Sequence, residues 1–270
     1  MKKKIGFIGA GNMAGALIKG LLSAKLYRPQ DIVVSDVLPA QLRRIKNTYK
    51  VEGLNDNRTV VRAAQTIVLA VKPQIIDQVL TGIQSEVTKD KVFISIAAGV
   101  PLRRLENGLG GSARVVRVMP NTPALLGKGI AVVVRGHKAK PQDEKLTLTL
   151  FRGVGEALAV KDEALLDPVT GLSGSGPAYV YLFAEALIQG GIQEGLSSTV
   201  ATRLALQTIE GAVAMLKEAG KSPKELREMV TSPGGTTLAG LSFMAEGKFA
   251  DTVAGAVSAA TRRSKELGQG

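Results

Sequence analysis

The sequence predicts an α/β protein: a doubly wound, mostly parallel sheet over residues 1–160, then an all-α helical domain over residues 161–270. Three observations carry that reading. In the first part, short continuous runs of Val, Ile and Leu alternate with amphipathic stretches, the pattern of strands covered by helices on both faces. After about Val160 no convincing strand remains and helical patterns follow one another. The charge changes at the same place. Residues 1–160 hold 25 Lys and Arg against 11 Asp and Glu, a net +14, and residues 161–270 hold 10 against 12, a net −2.

The elements read in order. Lys4 to Ile8 is a short apolar strand, and Met13 to Ala24 a helix with Ala14, Leu17, Ile18 and Leu21 on one face. Ile32 to Ser35 is a second strand, followed by a helix from Pro39 to Tyr49 that has proline at its start. The β-branched Thr66 to Val71 is a strand, and Pro73 to Val87 a helix opening on proline. Lys91 to Ile96, Arg114 to Val118 and Ile130 to Arg135 read as further strands, with helical pieces at Pro101 to Leu105 and Pro141 to Arg152. Five helices follow: Gly176 to Gly190, Ser197 to Ala219, Pro223 to Val230, Thr236 to Ala245 and Phe249 to Leu267. In the second of these, Val200, Leu204, Ile209, Val213 and Leu216 form a stripe expected to be bundle core.

Composition narrows the chemistry. The 270 residues are 45% hydrophobic and 21% charged, enough for one large domain or two ordinary ones with a sizeable core. With no cysteine there are no disulfides, thiolate zinc sites, iron–sulfur clusters or cysteine nucleophiles. His137 is the single histidine, so a His-rich metal site is excluded and no metal centre is expected. It sits in Arg135-Gly136-His137-Lys138, which reads as a solvated loop. The net charge of +12 points to an anionic ligand: nucleic acid, a phosphate cofactor or an acidic metabolite. No basic run exceeds three lysines and only ten residues are aromatic, which weighs against nucleic acid. The apolar runs fall short of the roughly 20 residues needed to span a bilayer. Met1-Lys2-Lys3-Lys4 resembles the start of a signal peptide, but a Gly-rich stretch follows it, and we expect a cytoplasmic protein.

Gly9-Ala10-Gly11-Asn12-Met13-Ala14 fits G-x-G-x-x-G/A between a predicted strand and a predicted helix. The first glycine permits a tight turn, the second lets backbone approach a pyrophosphate, and Ala14 keeps helix and strand close. The helix start adds free N–H groups and the positive end of a dipole. A Rossmann-type dinucleotide site follows. The end of the second strand bears on the cofactor in two ways. Asp36 lies 22 residues after Ala14, near the spacing of about 20 at which an acid binds a ribose 2′-OH, which favours NAD. Ser35, with Arg43 or Arg44, suits a 2′-phosphate instead, and these residues leave the choice open.

Two stretches in the second half combine hydroxyls with Gly and Pro before a helix: Leu172-Ser173-Gly174-Ser175-Gly176-Pro177 and Thr231-Ser232-Pro233-Gly234-Gly235-Thr236-Thr237. Each offers hydroxyls and free N–H groups suited to a carboxylate, and each is also what ordinary helix capping looks like.

Over essentially its whole length the chain resembles pyrroline-5-carboxylate reductase, the last enzyme of proline biosynthesis. The resemblance rests on Ile5-Gly6-Phe7-Ile8-Gly9-Ala10-Gly11-Asn12-Met13, Ala70-Val71-Lys72-Pro73, Ser95-Ile96-Ala97-Ala98-Gly99-Val100, Met119-Pro120-Asn121-Thr122-Pro123, the stretch from Val169 to Tyr179 and that from Val230 to Thr237. It implies NAD(P)H-dependent reduction of the cyclic imine pyrroline-5-carboxylate to L-proline. It implies that Ile8, Gly9, Ala10, Gly11, Asn12 and Met13 hold the pyrophosphate, with Ser35 and Asn57 near the adenosine ribose or its phosphate, where spacing also puts Asp36. Ala70, Val71, Lys72, Pro73, Ile96, Ala97 and Ala98 would line the groove, with Asn121 at the nicotinamide end. The loop from Ser232 through Gly235 to Thr237 would take the substrate carboxylate. Thr236 would hydrogen-bond the ring nitrogen as the catalytic proton-donor candidate, and Glu163 would lie near the substrate. The family generally prefers NADPH, and NADH is the alternative here because Asp36 departs from a phosphate-friendly Ser or Thr. The resemblance also implies a homodimer through the helical domain, with the site completed from the second subunit, and larger rings such as a decamer.

The implied chemistry suits this composition. A protonated imine is already electrophilic, so hydride transfer to it needs neither histidine nor cysteine. A 3-hydroxy acid dehydrogenase is the nearest rival. Such enzymes place a catalytic lysine near an asparagine in the helical half, and residues 161–270 contain no asparagine.

Overall fold

The computed structural model describes residues 3–269, which form two compact units: one runs to Ser175 and resumes at Ser258, the other is Gly176–Val257. Met1 and Lys2 of the basic start lie outside the described residues.

The first unit is built on one sheet of eight strands: β1 (Lys3–Ile8), β2 (Ile32–Ser35), β3 (Glu52–Leu54), β4 (Ala64–Leu69), β5 (Val92–Ser95), β6 (Arg114–Met119), β7 (Gly129–Arg135) and β8 (Gly155–Ala159). Their spatial order is β3-β2-β1-β4-β5-β6-β7-β8. Neighbours are parallel except β6 and β7. The chain runs outward from β1 to β3, then returns to pair β4 on the other side of β1. That reversal opens a crevice at the carboxyl ends of β1 and β4, where ligands of such sheets bind.

Helices α1 (Asn12–Ser23), α2 (Pro39–Tyr49), α3 (Asn57–Ala63), α4 (Ile76–Ile83), α5 (Leu102–Gly108) and α6 (Pro141–Arg152) divide between the two faces. Leu17, Ile18 and Leu21 of α1, Ile45 of α2 and Phe151 of α6 bury against Ile5, Phe7, Val34, Val116 and Val118. Val60 of α3, Ile76, Leu80 and Ile83 of α4 and Leu105 of α5 bury against Val33, Ile67, Leu69, Phe93 and Val115. Successive residues such as Val115 and Val116 therefore serve opposite cores, as a period of two requires.

The sheet differs from the sequence expectation at its margins. β3, α3 and β8 are additional elements. Glu52-Gly53-Leu54 is short and half-exposed, and Gly155-Glu156-Ala157-Leu158-Ala159 is an exposed edge with little β propensity, so neither has the apolar run that marks a buried strand. β4 starts two residues earlier than expected and ends at Leu69, which frees Ala70 and Val71 from the ladder. The expected helix from Pro73 to Val87 is α4 flanked by two 3₁₀ turns, Pro73–Ile75 and Gln84–Glu86.

From Glu163 onward there are only helical elements among the described residues: a 3₁₀ turn Glu163–Leu165, α7 (Leu166–Val169), a π turn Thr170–Gly174, α8 (Gly176–Gln193), α9 (Ser198–Glu218), α10 (Pro223–Met229), α11 (Thr236–Glu246) and α12 (Phe249–Gln269). Leu166 is fully buried in the first unit's core. Ser197 caps α9, and Ser222 with Glu225 forms a capping box on α10. The expected bundle-core stripe on α9 is not buried in the single chain. Val200, Leu204, Val213 and Leu216 are each about half-exposed, and the buried positions are Ala201 and Ala205. Ala201 lies against Gly191 of α8, and Ile209 of the stripe is partly buried.

Asp56 caps α3, accepting hydrogen bonds from the backbone N–H groups of Arg58 (3.1 Å) and Thr59 (3.0 Å) and from the Thr59 hydroxyl (2.6 Å). These bonds, the Thr59 hydroxyl first among them, hold its carboxyl below the usual range. A carboxylate with a depressed folded-state pKa stabilises above its unfolded pKa and loses that contribution as pH falls through the folded value. Asp56→Ala should therefore cost about 1 kcal/mol at neutral pH. Urea unfolding should show that difference shrinking as the pH is lowered below the ordinary carboxylate pKa.

Candidate active site

Parallel register brings the ends of four strands to one level. Ile8 pairs with both Ser35 and Leu69, and Leu69 with Ser95. Gly9, Asp36, Ala70 and Ile96 therefore leave the sheet side by side. Ala70 N–H donates to the Ile8 carbonyl (2.8 Å), Gly9 N–H to the Ser35 carbonyl (2.8 Å) and Ile96 N–H to the Leu69 carbonyl (3.2 Å). Gly9 has φ +101°, and a Cβ there would lie 2.4 Å from the Ala70 carbonyl oxygen, so only glycine fits. Gly11 begins α1 with open space where a Cβ would be and with no side-chain cap. The first-turn N–H groups of Asn12, Met13 and Ala14 thus stand at an accessible helix start, the arrangement that receives a phosphate. Ala14 is fully buried, as close helix–sheet packing demands.

Beside this loop, Asp36 accepts hydrogen bonds from the N–H of Ala10 at Oδ2 (2.7 Å) and of Leu38 at Oδ1 (2.8 Å). Arg44 Nη2 donates to the Ala10 carbonyl (2.9 Å). Ser35 is buried, and its hydroxyl donates to Asn57 Oδ1 (2.7 Å) at the start of α3. Arg43 is exposed on α2. Val71, Lys72 and Pro73 lead from β4 into the 3₁₀ turn, with Lys72 exposed. Ala97 is buried, with its N–H donating to Ser95 Oγ (3.3 Å), and Ile96 and Ala98 are half-buried beside it. Asn121, two residues past β6, accepts from Ile130 N–H (2.9 Å) and donates to the Ser173 carbonyl (3.2 Å).

The other expected residues sit on different elements. Glu163 Oε1 accepts from Arg117 Nη1 (2.6 Å) and from Leu102 N–H (2.7 Å) at the start of α5, which ties together β6, α5 and the 3₁₀ turn. Arg117 is 6% exposed and escapes sequence reasoning as a partner, although an arginine within the apolar run from Arg114 to Met119 was itself the signal. His137 pairs with Glu106 (3.1 Å) on an exposed loop, away from the strand ends described above. The Leu172–Pro177 stretch is not a free helix start. It lies inside the run from α7 through the π turn into α8, with Ser175 N–H donating to the Thr170 carbonyl (2.8 Å) and Ser173 Oγ to the Val169 carbonyl (3.0 Å). The methyl end of Met119 packs onto Gly174.

In the second unit, Thr231 to Gly235 forms the turn between α10 and α11. Gly234 has φ +68°, and a Cβ on Gly235 would lie 2.4 Å from Ser232 Oγ. Gly235 begins α11 with no side-chain cap, and Thr236 and Thr237 are exposed in its first turn. Two hydroxyls and uncommitted N–H groups converge there, suited to an anion and a nearby hydrogen-bonding atom. Among the described residues no cluster of His, Asp and Glu could hold a metal ion, and no helix is long and apolar enough to cross a membrane.

Residues 163–267 match the family model for pyrroline-5-carboxylate reductase dimerisation, and residues 4–99 match that for NADP oxidoreductase, coenzyme F420-dependent. The pyrroline-5-carboxylate reductase of Methanosarcina acetivorans is 43% identical over 267 residues, 99% of this chain and 98% of that protein. The Coxiella burnetii pyrroline-5-carboxylate reductase structure aligns with a TM-score of 0.90 at 36% identity, covering 99% of both chains. A Plasmodium falciparum pyrroline carboxylate reductase solved with NADP bound aligns with a TM-score of 0.89 at 34% identity over 98% of both. Likeness of this extent spans the sheet and the helices together, and the chain belongs to the pyrroline-5-carboxylate reductase family.

Proposed function

We propose that this protein reduces pyrroline-5-carboxylate to L-proline, the closing step of proline biosynthesis, with NADPH as hydride donor and NADH as the alternative. The observation that carries this reading is the full-length likeness to named reductases, 43% identical over 99% of the chain. The crevice fits such a cofactor: a Cβ would close the Gly9 turn against Ala70, and Gly11 leaves the start of α1 open.

Ile8 to Met13 form the turn that holds the pyrophosphate, with the free backbone N–H groups at the start of α1 as its donors. Ser35, Asp36 and Asn57 stand at the adenosine end, Ala70 to Pro73 and Ile96 to Ala98 line the groove, and Asn121 fixes the nicotinamide end. When bound, the reduced dinucleotide supplies the hydride. The chain's own residues then hold the substrate by its carboxylate at Ser232, Gly235 and Thr237, and Thr236 hydrogen-bonds the ring nitrogen. A threonine hydroxyl is a weak acid, so Thr236 serves mainly to orient that nitrogen and steady its proton. Glu163 acts at one remove, holding the start of α5 against Arg117. Residues 1–160 serve as the dinucleotide domain and residues 161–270 as the helical domain for dimerisation and substrate. The outward stripe of α9 supports a homodimer, and the family resemblance supports larger rings such as a decamer, in the cytoplasm, with no role for nucleic acid or membrane.

NADPH and NADH oxidation measured with pyrroline-5-carboxylate beside a panel of 3-oxo acids tests the activity: turnover with the imine alone is expected, and turnover of the oxo acids instead would reassign the chain. Thr236→Val should lower kcat about 10- to 100-fold, the worth of one hydrogen bond strengthened in the transition state, with dinucleotide affinity unchanged. If Thr237→Val carries that loss instead, the orienting hydroxyl is the second of the pair. Gly9→Ala should weaken binding of both dinucleotides at least about tenfold by displacing the turn from Ala70. Sedimentation should give a dimer or a multiple of it.

A further inference from the structure

We propose that Asp36 is a positioning residue that holds the Gly9–Gly11 turn in its phosphate-receiving shape, with Arg44 gripping the other side of the same residue. This rests on the assignment of that turn to a dinucleotide. Sequence spacing gives Asp36 the part of reading a ribose hydroxyl, but its geometry points elsewhere. Ala10 is fully buried, so its N–H must have a partner inside the protein or stand unsatisfied at a cost. Asp36 Oδ2 is that partner, at 2.7 Å. The other oxygen holds Asp36's own turn through Leu38 N–H at 2.8 Å, which fixes the carboxylate where Ala10 needs it. The Ala10 carbonyl is taken by Arg44 Nη2 at 2.9 Å, and Arg44 is itself oriented by Gln41 (3.1 Å). With Gly9 N–H bonded to the Ser35 carbonyl, two successive residues of the turn are fastened to the end of β2. The donors left for a phosphate are those at the start of α1.

A residue that shapes the phosphate turn acts on every dinucleotide alike, whereas a ribose reader distinguishes them by the 2′ group. Dissociation constants for NADH, NADPH and 2′-deoxy-NADH, measured by calorimetry on wild type, Asp36→Ala, Asp36→Asn and Arg44→Met, separate the two. Asp36→Ala should weaken all three ligands by the same factor, about tenfold or more for a lost charge-assisted bond. Asp36→Asn, which keeps one acceptor, should recover part of that loss for all three. Arg44→Met should weaken all three alike by a smaller factor, and it carries the test if the Asp36 variants do not fold. A loss confined to NADH, a gain for NADPH, or no change in any ligand would overturn the positioning role. A wild-type protein that binds none of the three would overturn the dinucleotide assignment itself.

Discussion

Between β1 and β4 the chain leaves the sheet along two paths so close that the Ala70 carbonyl occupies the space a side chain on Gly9 would need. Much of the site depends on that approach. It requires Gly9 to adopt a conformation open to glycine, which turns the backbone directly into α1 and aims the helix start across the strand ends. It also requires β4 to stop at Leu69, so that Ala70 to Pro73 can form one wall of the crevice. Parallel register does the rest. Because Ser35, Ile8, Leu69 and Ser95 share one level, each following turn contributes a residue to the same groove without any long loop to place it.

The basic character of the first 160 residues takes a different meaning once contacts are known. Arg62 pairs with Glu86, Arg104 with Asp77, Arg114 with Asp143 and Arg117 with Glu163. Several of the positive charges are thus spent on holding helices to the sheet or to one another, away from the strand ends. What the crevice offers an anion is instead backbone N–H groups and a helix start, which add nothing to a count of lysines and arginines. Net charge suggested an anionic ligand, but the donors at the crevice are groups that composition does not register.

The central strands and the long helices were legible because burial on both sides writes continuous apolar runs, and amphipathic burial writes a helical period. β3 and β8 were not, since edge strands half-open to water need no such run and can be made of Gly, Glu and Ala. The turn after β1 was legible because Gly9 answers a steric demand at a fixed place between strand and helix. The partners of Glu163 and Asp36 were not, because an ion pair across 46 positions and a bond across 26 depend on the folded register rather than on local pattern. The stretch around Ser173 shows the converse error. Small residues that look like an exposed helix start lie between a π turn and α8, with Ser173 and Ser175 bonded back to the Val169 and Thr170 carbonyls.

The α9 stripe marks where one chain stops being a sufficient unit of explanation. Its period is helical and its residues are those of a core, yet Leu204 and Val213 stay about half-exposed while Ala201 and Ala205 take the buried places. Large side chains left about half in water across one helix face forgo part of the roughly 1.5–3 kcal/mol that full burial of each would contribute. Such a face suits burial against another surface, and it lies within residues 163–267, which match the model of a dimerisation family. The bundle core expected from this apolar pattern is therefore not what the single chain builds on this face. Periodicity reports that a face is buried, and it is silent on whether the covering atoms come from the same chain.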